Sequence, residues 1–213
     1  MVNFKIDIVS DTICPWCYVG QKRLFTAIER FQSSNPGSEH TFDIEWHPYQ
    51  LNPHAPPVSR EKREVYEEKF PGQAEAIFAR LGAAGAENGI KFSFNGKTGN
   101  TRDSHRLIEL AKSKGKGNDV VSRLFAAYFE NEQDITDHEV LVNSAKETGL
   151  DENEVREWLK DSSNGGEQVD KAVLLNRQRR INGVPHFTIN GSEVISGAHD
   201  PSEFVRTFNK FLD

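Results

Sequence analysis

Apolar and polar positions alternate along Phe4-Lys5-Ile6-Asp7-Ile8-Val9, and the β-branched residues among them mark a short strand. The period then changes. From Gly20 to Phe31 the residues Leu24, Phe25, Ile28 and Phe31 recur at helical spacing, with Ser10-Asp11-Thr12 as a turn or cap cluster before them. Alternation returns over Thr41–Trp46, so residues 1–46 read β-α-β. His47 to Pro57 carries four prolines and reads as an extended connector, because proline fixes φ and removes a donor. From Arg60 to Arg180 the helical period dominates, apart from a short loop of mixed character at Lys91–Gly99. It predicts helices over Arg60–Phe70, Gln73–Asn88, Thr101–Ser113, Asn118–Asn131, Asp137–Thr148, Asp151–Asp161 and Gly166–Arg180. Pro71-Gly72 breaks the chain between the first two, and Thr101, Asn118, Thr136 or Asp137, and Asp151 stand where N-caps belong. Phe187–Ile189 and Glu193–Ile195 flank Asn190-Gly191, a pair that favours a two-residue hairpin turn. Pro201–Leu212 closes the chain as a helix with Phe204, Val205, Phe208 and Leu212 on one face.

A β-α-β front and a β-β-α back each leave sheet faces uncovered, so the two must combine around the helical block. The expected fold is α/β: a thioredoxin arrangement interrupted by a large all-helical insertion. Its first part covers residues 1–50, the insertion 51–180, and the second part 181–213.

Composition is that of an ordinary globular chain, 36% hydrophobic and 27% charged. A net charge of −6 argues against a nucleic-acid partner, which needs a basic surface. No stretch approaches the length of a membrane span and Met1–Asp7 carries no apolar signal region, so neither a membrane partner nor secretion is expected and the cytosol is the expected location. The Asn190-Gly191-Ser192 sequon is accordingly read as the hairpin turn.

Cysteine usage adds a chemistry. The only two cysteines in 213 residues stand in Cys14-Pro15-Trp16-Cys17. A bridge across so short a loop adds about 2 kcal/mol at most. A chain of this length buries roughly 70% of its unfolded surface without such a staple. Redox exchange explains the spacing better, one thiol attacking and the other resolving. Pro15 falls in the first helical turn, where its ring is harmless. Cys14 is thereby placed at a helix N-terminus, where unpaired N–H groups and the dipole favour a thiolate. Gly183-Val184-Pro185-His186-Phe187 enters the third strand through a proline, which removes a ladder donor. It reads either as a trans strand-entry proline or as a cis-proline loop facing Cys14 and offering the Val184 backbone to an extended substrate. The paired halves favour the second.

A longer series of motifs follows one order from residue 7 to about residue 208. It runs through Asp11 with Cys14-Pro15-Trp16-Cys17-Tyr18-Val19-Gly20, then Trp46-His47-Pro48-Tyr49-Gln50-Leu51-Asn52-Pro53, Asn100-Thr101 and His105-Arg106-Leu107. It continues with Leu124-Phe125-Ala126-Ala127-Tyr128-Phe129, Asp134-Ile135, Gly183-Val184-Pro185 and Ser196-Gly197-Ala198. On these residues the chain resembles the DsbA-like thioredoxin family, in particular its cytosolic FrnE-like branch. The resemblance implies a thioredoxin domain with an inserted helical domain, thiol–disulfide oxidoreductase activity, Cys14 as nucleophile, Cys17 as its partner and a cis Pro185. Pro15, Trp16, Val184 and Pro185 are then expected to tune the redox pair, and Asn100, His105, Gly183 and His186 to meet substrate. The expected partner is a disulfide- or thiol-containing protein or glutathione, with no cofactor beyond glutathione as co-substrate and no metal. Departures from the branch are His186 in place of an apolar or aromatic residue, His199 in place of glutamine and His47 in place of arginine, each able to alter the charge of the cleft near neutral pH. Trp16 brings no formal charge where periplasmic relatives carry histidine, so the helix terminus is expected to do most of the tuning, with an intermediate redox poise. The absence of a second cysteine pair excludes an internal relay.

Other readings compete. A glutathione-dependent enzyme related to kappa-class transferases and chromene-carboxylate isomerases would typically keep a serine at the position of Cys14. A zinc module would need four ligands where one C-x-x-C supplies two, unless His47, His186 and His199 converge on it. Asn100, His105 and Arg106 either project toward the cleft or serve a helix start, with Asn100 or Thr101 capping and His105 packed inside. Arg177, Arg179 and Arg180 read as a solvated face or as a dock for an anionic peptide or glutathione carboxylate.

Overall fold

Phe4, Ile6 and Ile8, the apolar positions of the first alternation, are fully buried in the computed structural model, which describes residues 1–56 and 58–212. Pro57, the last proline of the connector, and Asp213 of the closing segment lie outside the described residues. The strand those positions define, β1 (Asn3–Ser10), runs through the interior of a four-stranded sheet with β2 (Thr41–Pro48), β5 (His186–Ile189) and β6 (Glu193–Ser196), in the order β2-β1-β5-β6. β2 is parallel to β1, whereas β5 and β6 add as an antiparallel hairpin. Val9 is paired with His47 on one side and His186 on the other. The chain therefore leaves β1 and enters β5 at the same edge of the sheet. At the far end, Asn190 and Gly191 turn the hairpin at φ of 49° and 70°, the left-handed pair that the Asn-Gly sequence predicts.

Helix α1 (Pro15–Ser34) and the closing helix α9 (Pro201–Asn209) pack together beneath this sheet. Phe4, Phe31 and Phe208 meet there with ring centroids 5.1–5.4 Å apart. α1 opens at Pro15 with Cys14 as its N-cap, as the position of the proline in the dithiol motif predicts. α9 ends at Asn209, so Leu212 lies beyond it and is exposed, contrary to the expected inward face.

The insertion comprises β3 (Arg60–Glu61), α2 (Lys62–Lys69), α3 (Ala74–Glu87), β4 (Lys97–Thr98), α4 (Arg102–Ser113), α5 (Gly117–Phe129), α6 (His138–Lys146), α7 (Glu152–Lys160) and α8 (Gly166–Gln178). The helix expected from Arg60 begins instead as a two-residue strand paired with β4, a pairing too short to show an alternation. Asp137 and Asp151 cap their helices through side-chain oxygens, as expected. Thr101 and Asn118 do not. Asn100 accepts from the Arg102 N–H in place of Thr101, while Asn118 lies inside α5 and accepts the buried Trp46 indole N–H at 2.6 Å. A buried indole donor requires such a partner, and that need outweighs the capping preference.

One close approach sets α1 against the proline loop, and one buried contact ties α2 to α5 within the insertion. A Cβ on Gly20 would lie 2.9 Å from Pro185 Cγ and 3.1 Å from the Phe187 ring, so α1 approaches the proline loop only because this residue is glycine. On the insertion side Lys62 is buried beneath α5, its Nζ donating to Tyr128 O at 3.1 Å and lying 4.0 Å from the Tyr128 ring centroid. Burial pulls the Lys62 ammonium down to about 8, although Glu132 favours the charge.

Gly20→Ala should destabilise the protein by about 1–2 kcal/mol in urea unfolding, overpacking outweighing the roughly 1 kcal/mol that alanine gains in a helix interior. A stabilised variant would contradict the close approach. Lys62 makes a second prediction. Its folded-state pKa lies below the value near 10.4 of an unfolded lysine, so the unfolded chain holds more protons between about pH 8 and 10 and stability rises with pH across that window. The unfolding free energy of the parent minus that of Lys62→Met should climb over the same range. A flat difference would show the ammonium to be solvated.

Candidate active site

The segment after β1 is fixed by buried polar contacts. Asp11 is fully buried; its carboxylate accepts from Leu51 N–H at 2.7 Å, and its backbone carbonyl accepts from Cys14 N–H at 3.1 Å. His105 reaches the same place from α4, with Nε2 2.9 Å from Tyr49 O and 3.4 Å from the Asp11 carboxylate. A carbonyl only accepts, so Nε2 carries the proton. Thr12 Oγ1 and Ser104 Oγ share a 2.7 Å hydrogen bond that ties the turn to α4 again. One strand end, the connector and one insertion helix thus converge on the residues before Cys14.

Cys14 is the N-cap residue of α1 in extended conformation, and its carbonyl accepts from Cys17 N–H at 3.0 Å. The Cys14 thiol donates to Val184 O at 3.6 Å. The Val184–Pro185 bond is cis, and Pro185 O accepts from Gly197 N–H at 2.8 Å, anchoring the loop to the exit of β6. Both cysteines are free thiols. Cys17 is fully buried one turn inside α1, and its thiol is pushed well above the ordinary range by burial, then by its hydrogen bond with Cys14 and the Cys14 charge. The backbone of Asp11 and the Ser10 side chain oppose this only in part.

Cys14 opens onto a cleft of about 440 Å³, a volume suited to a small ligand. Ile13–Trp16 and Gly183-Val184 form its floor, residues of the connector one wall, and α2 and α3 the roof. Its charged lining residues among those described are Arg60, Lys69 and Arg80, with no carboxylate. The Arg80 guanidinium lies 5.7 Å from the Trp16 ring centroid. Tyr66, also on the roof, has its phenol pushed up to about 12 by burial and then by the charge of Cys14, so it is a neutral donor at physiological pH.

The structure distributes the residues expected from sequence unevenly. Cys14, Pro15, Trp16, Gly183 and Val184 line the cleft. Pro185 lies behind its floor, against Gly20. Asn100 pins the connector instead, donating to Ala55 O at 3.2 Å and accepting from Gln50. His105 is buried behind the turn, among the supports of Cys14 rather than on the cleft surface. His186 is half-buried beside Val9, and burial lowers its pKa, which keeps it neutral near pH 7. Arg106 turns away from the cleft, being fully buried and donating to the carbonyls of Trp158, Leu159, Asp161 and Asn164. Arg177 donates to Gln50 O and so pins the connector, while Arg179 and Arg180 are exposed. The histidines take separate posts: His47 pairs with Asp7 at 2.8 Å and His199 bonds Ser196 O at 3.0 Å. Among the described residues the ligand atoms close enough to share an ion are those of Asp7, Glu45 and His47, within 4.8 Å of one another, and neither cysteine belongs to this group. Arg60, Tyr66, Lys69 and Arg80 had no signal in the sequence, where each is an ordinary polar position on a helix or beside one. Only the packing of α2 and α3 over Cys14 gives them a place at the site.

Cys14 borders the cleft while Cys17 is 1% exposed and its thiol holds its proton at neutral pH. Brief alkylation with iodoacetamide at pH 6–7 should therefore modify Cys14 first. Peptide mapping that finds Cys17 labelled ahead of it would reverse these roles.

Comparison with known proteins agrees with this geometry. Residues 5–209 match the family model of the DSBA-like thioredoxin domain. An uncharacterised protein of Bacillus subtilis (strain 168), YwbO, is 25% identical over 215 residues, covering 98% of this chain and 97% of its own. The crystal structure of a probable DsbA oxidoreductase from Streptomyces coelicolor superposes with a TM-score of 0.87 at 28% identity, over 97% of this chain and 89% of that one. The cytosolic disulfide reductase DsbM of Pseudomonas aeruginosa shares the fold with a TM-score of 0.65 at 15% identity, over 98% of each chain. A sheet and helical insertion of this design, with paired cysteines opening the first long helix and a family match over nearly the whole length, make this chain a member of the DSBA-like thioredoxin domain family.

Proposed function

We propose that this protein is a thiol–disulfide oxidoreductase of the FrnE-like branch, acting on protein or low-molecular-weight disulfides through Cys14 and Cys17. The observation that carries the reading is the asymmetry of the two sulfurs around one proline loop. Cys14 caps a helix, borders a cleft and touches Val184 O beside a cis proline, while Cys17 waits protonated behind it. In this reading residues 1–50 and 181–213 form the catalytic domain, and 51–180 cover it.

The exchange balances as follows. Cys14 thiolate attacks one sulfur of a substrate RS–SR; the Cys14–SR bond forms, the S–S bond breaks and RS⁻ leaves. Cys17 loses its proton and attacks Cys14 Sγ, expelling the second RS⁻ and closing the Cys14–Cys17 disulfide. Two electrons pass to the substrate, and the two protons given up by the dithiol are available to the thiolates released. A thiol reductant, glutathione among them, returns the protein to the dithiol by the reverse steps, and the same steps run backwards when the oxidised protein meets a reduced substrate. A cytosolic, reducing compartment would favour the reductase direction. Trp16 covers the motif without charge, Pro15 shapes the first turn of α1, and Val184, backed by Pro185, forms the floor on which the substrate disulfide would lie.

The paired thiols set this reading apart from a glutathione-dependent isomerase or transferase. The parent should accelerate insulin reduction by dithiothreitol, and Cys17→Ser should accumulate a Cys14 mixed disulfide detectable by mass. No acceleration in the parent, together with full turnover of an electrophilic substrate by Cys17→Ser, would favour the isomerase class instead.

A further inference from the structure

The cleft is charged in one sense only. The chain carries 32 acidic against 26 basic residues, yet the charged residues lining the cleft are Arg60, Lys69 and Arg80. Arg60 is engaged by Glu68. Among the described residues neither Lys69 nor Arg80 has an ion pair or a side-chain hydrogen bond; their close neighbours are aromatic, Phe70 at 5.4 Å and Trp16 at 5.7 Å. Both stand exposed at the rim, while Ile13, Leu51, Val65 and Ile77 supply apolar lining. Trp16 lies within the dithiol motif, so the cation over its ring lines the same cleft as the sulfur that would react.

From this juxtaposition we infer that the cleft selects a low-molecular-weight disulfide or thiol bearing carboxylates on an apolar body, and that Arg80 and Lys69 are the residues that select it. The inference rests on the exchange reading above and adds the charge and size of the substrate. A guanidinium meets a carboxylate through two parallel hydrogen bonds, and a rim cation attracts an anion before contact is made. Size follows from access. Cys14 is 4% exposed beneath the roof of α2 and α3, and the cleft of about 440 Å³ suits a compact ligand better than a folded protein surface. Acidic residues elsewhere on the chain repel an anionic substrate, so the local field at the rim is what admits it.

Two aromatic disulfides of similar size separate charge from shape: dianionic 5,5′-dithiobis(2-nitrobenzoate) and uncharged 4,4′-dithiodipyridine. Each is mixed with fully reduced protein at pH 7.5 in stopped flow, and each rate is divided by that of a synthetic peptide of residues 11–20, which removes the intrinsic reactivity of the probe. The ratio of the two normalised rates should favour the dianion by about tenfold at low salt. It should fall several-fold in Arg80→Gln and in Lys69→Gln, persist in Arg80→Lys, and shrink in about 0.5 M salt, where screening is short-ranged. Melting curves establish that each variant is folded, and Lys69, exposed at the end of α2, gives a second site should Arg80→Gln fail that check. A ratio near one in the parent overturns the selectivity while leaving exchange intact. A high ratio that survives both glutamine variants overturns the assignment to these residues. Failure of Cys14 to react with either probe overturns the exchange reading itself, and this inference with it.

Discussion

The constraint on which the rest depends is the pairing of β1 on both flanks at Val9. Parallel pairing with β2 brings Pro48 and the connector alongside Ser10, and antiparallel pairing with β5 brings Pro185 to the same edge. A slip of one residue on either side would turn Ile8 out of the core and carry the proline loop away from Cys14. The buried side chains of Phe4, Ile6 and Ile8 fix that register, so the geometry of two sulfurs and a carbonyl is held by hydrophobic alternation in the strand that precedes the dithiol.

Packing alone would not hold the segment between Ser10 and Cys14, which has no strand or helix hydrogen bonds of its own. Asp11 fills that need. A buried carboxylate is costly unless its oxygens are satisfied, and here the Leu51 N–H satisfies one directly while the His105 ring lies near the other. The group that steadies the turn therefore also ties the connector and α4 to it. Gly20 plays the complementary part by omission, leaving room for Pro185 where any side chain would intrude. The insertion is locked in the same manner, with Arg106 gathering the carbonyls at the end of α7 and Lys62 held under Tyr128.

Much of this was legible in the order of residues. The strand periods, the Asn-Gly turn, the helices and the dithiol itself are local patterns, and local patterns survive in sequence. The motif order from Asp11 to Ala198 carried the family. What failed did so where the decisive partner is remote: β3 and β4 exist only through each other, and Asn118 serves Trp46 rather than its own helix. Asn100, His105 and Arg106 stood out as a group, yet each is taken up by long-range hydrogen bonds that no spacing rule displays. The roof of the cleft was invisible for the opposite reason. Arg80 and Lys69 look like solvated helix residues, and they belong to the site only because α2 and α3 fold back over it.

The depth of Cys17 has a consequence for time rather than affinity. In the proposed exchange, the second sulfur can close the reaction only after its proton has left a buried site. In that reading the burial of Cys17 slows the closing step, alongside the leaving tendency of the substrate thiol, and so lengthens the life of the covalent adduct on Cys14. During that interval a captured molecule can trade its attachment to another thiol before the dithiol releases it. Burial of one atom thus acts as a timer, and any change that wets the inner turn of α1 would make the clock run faster.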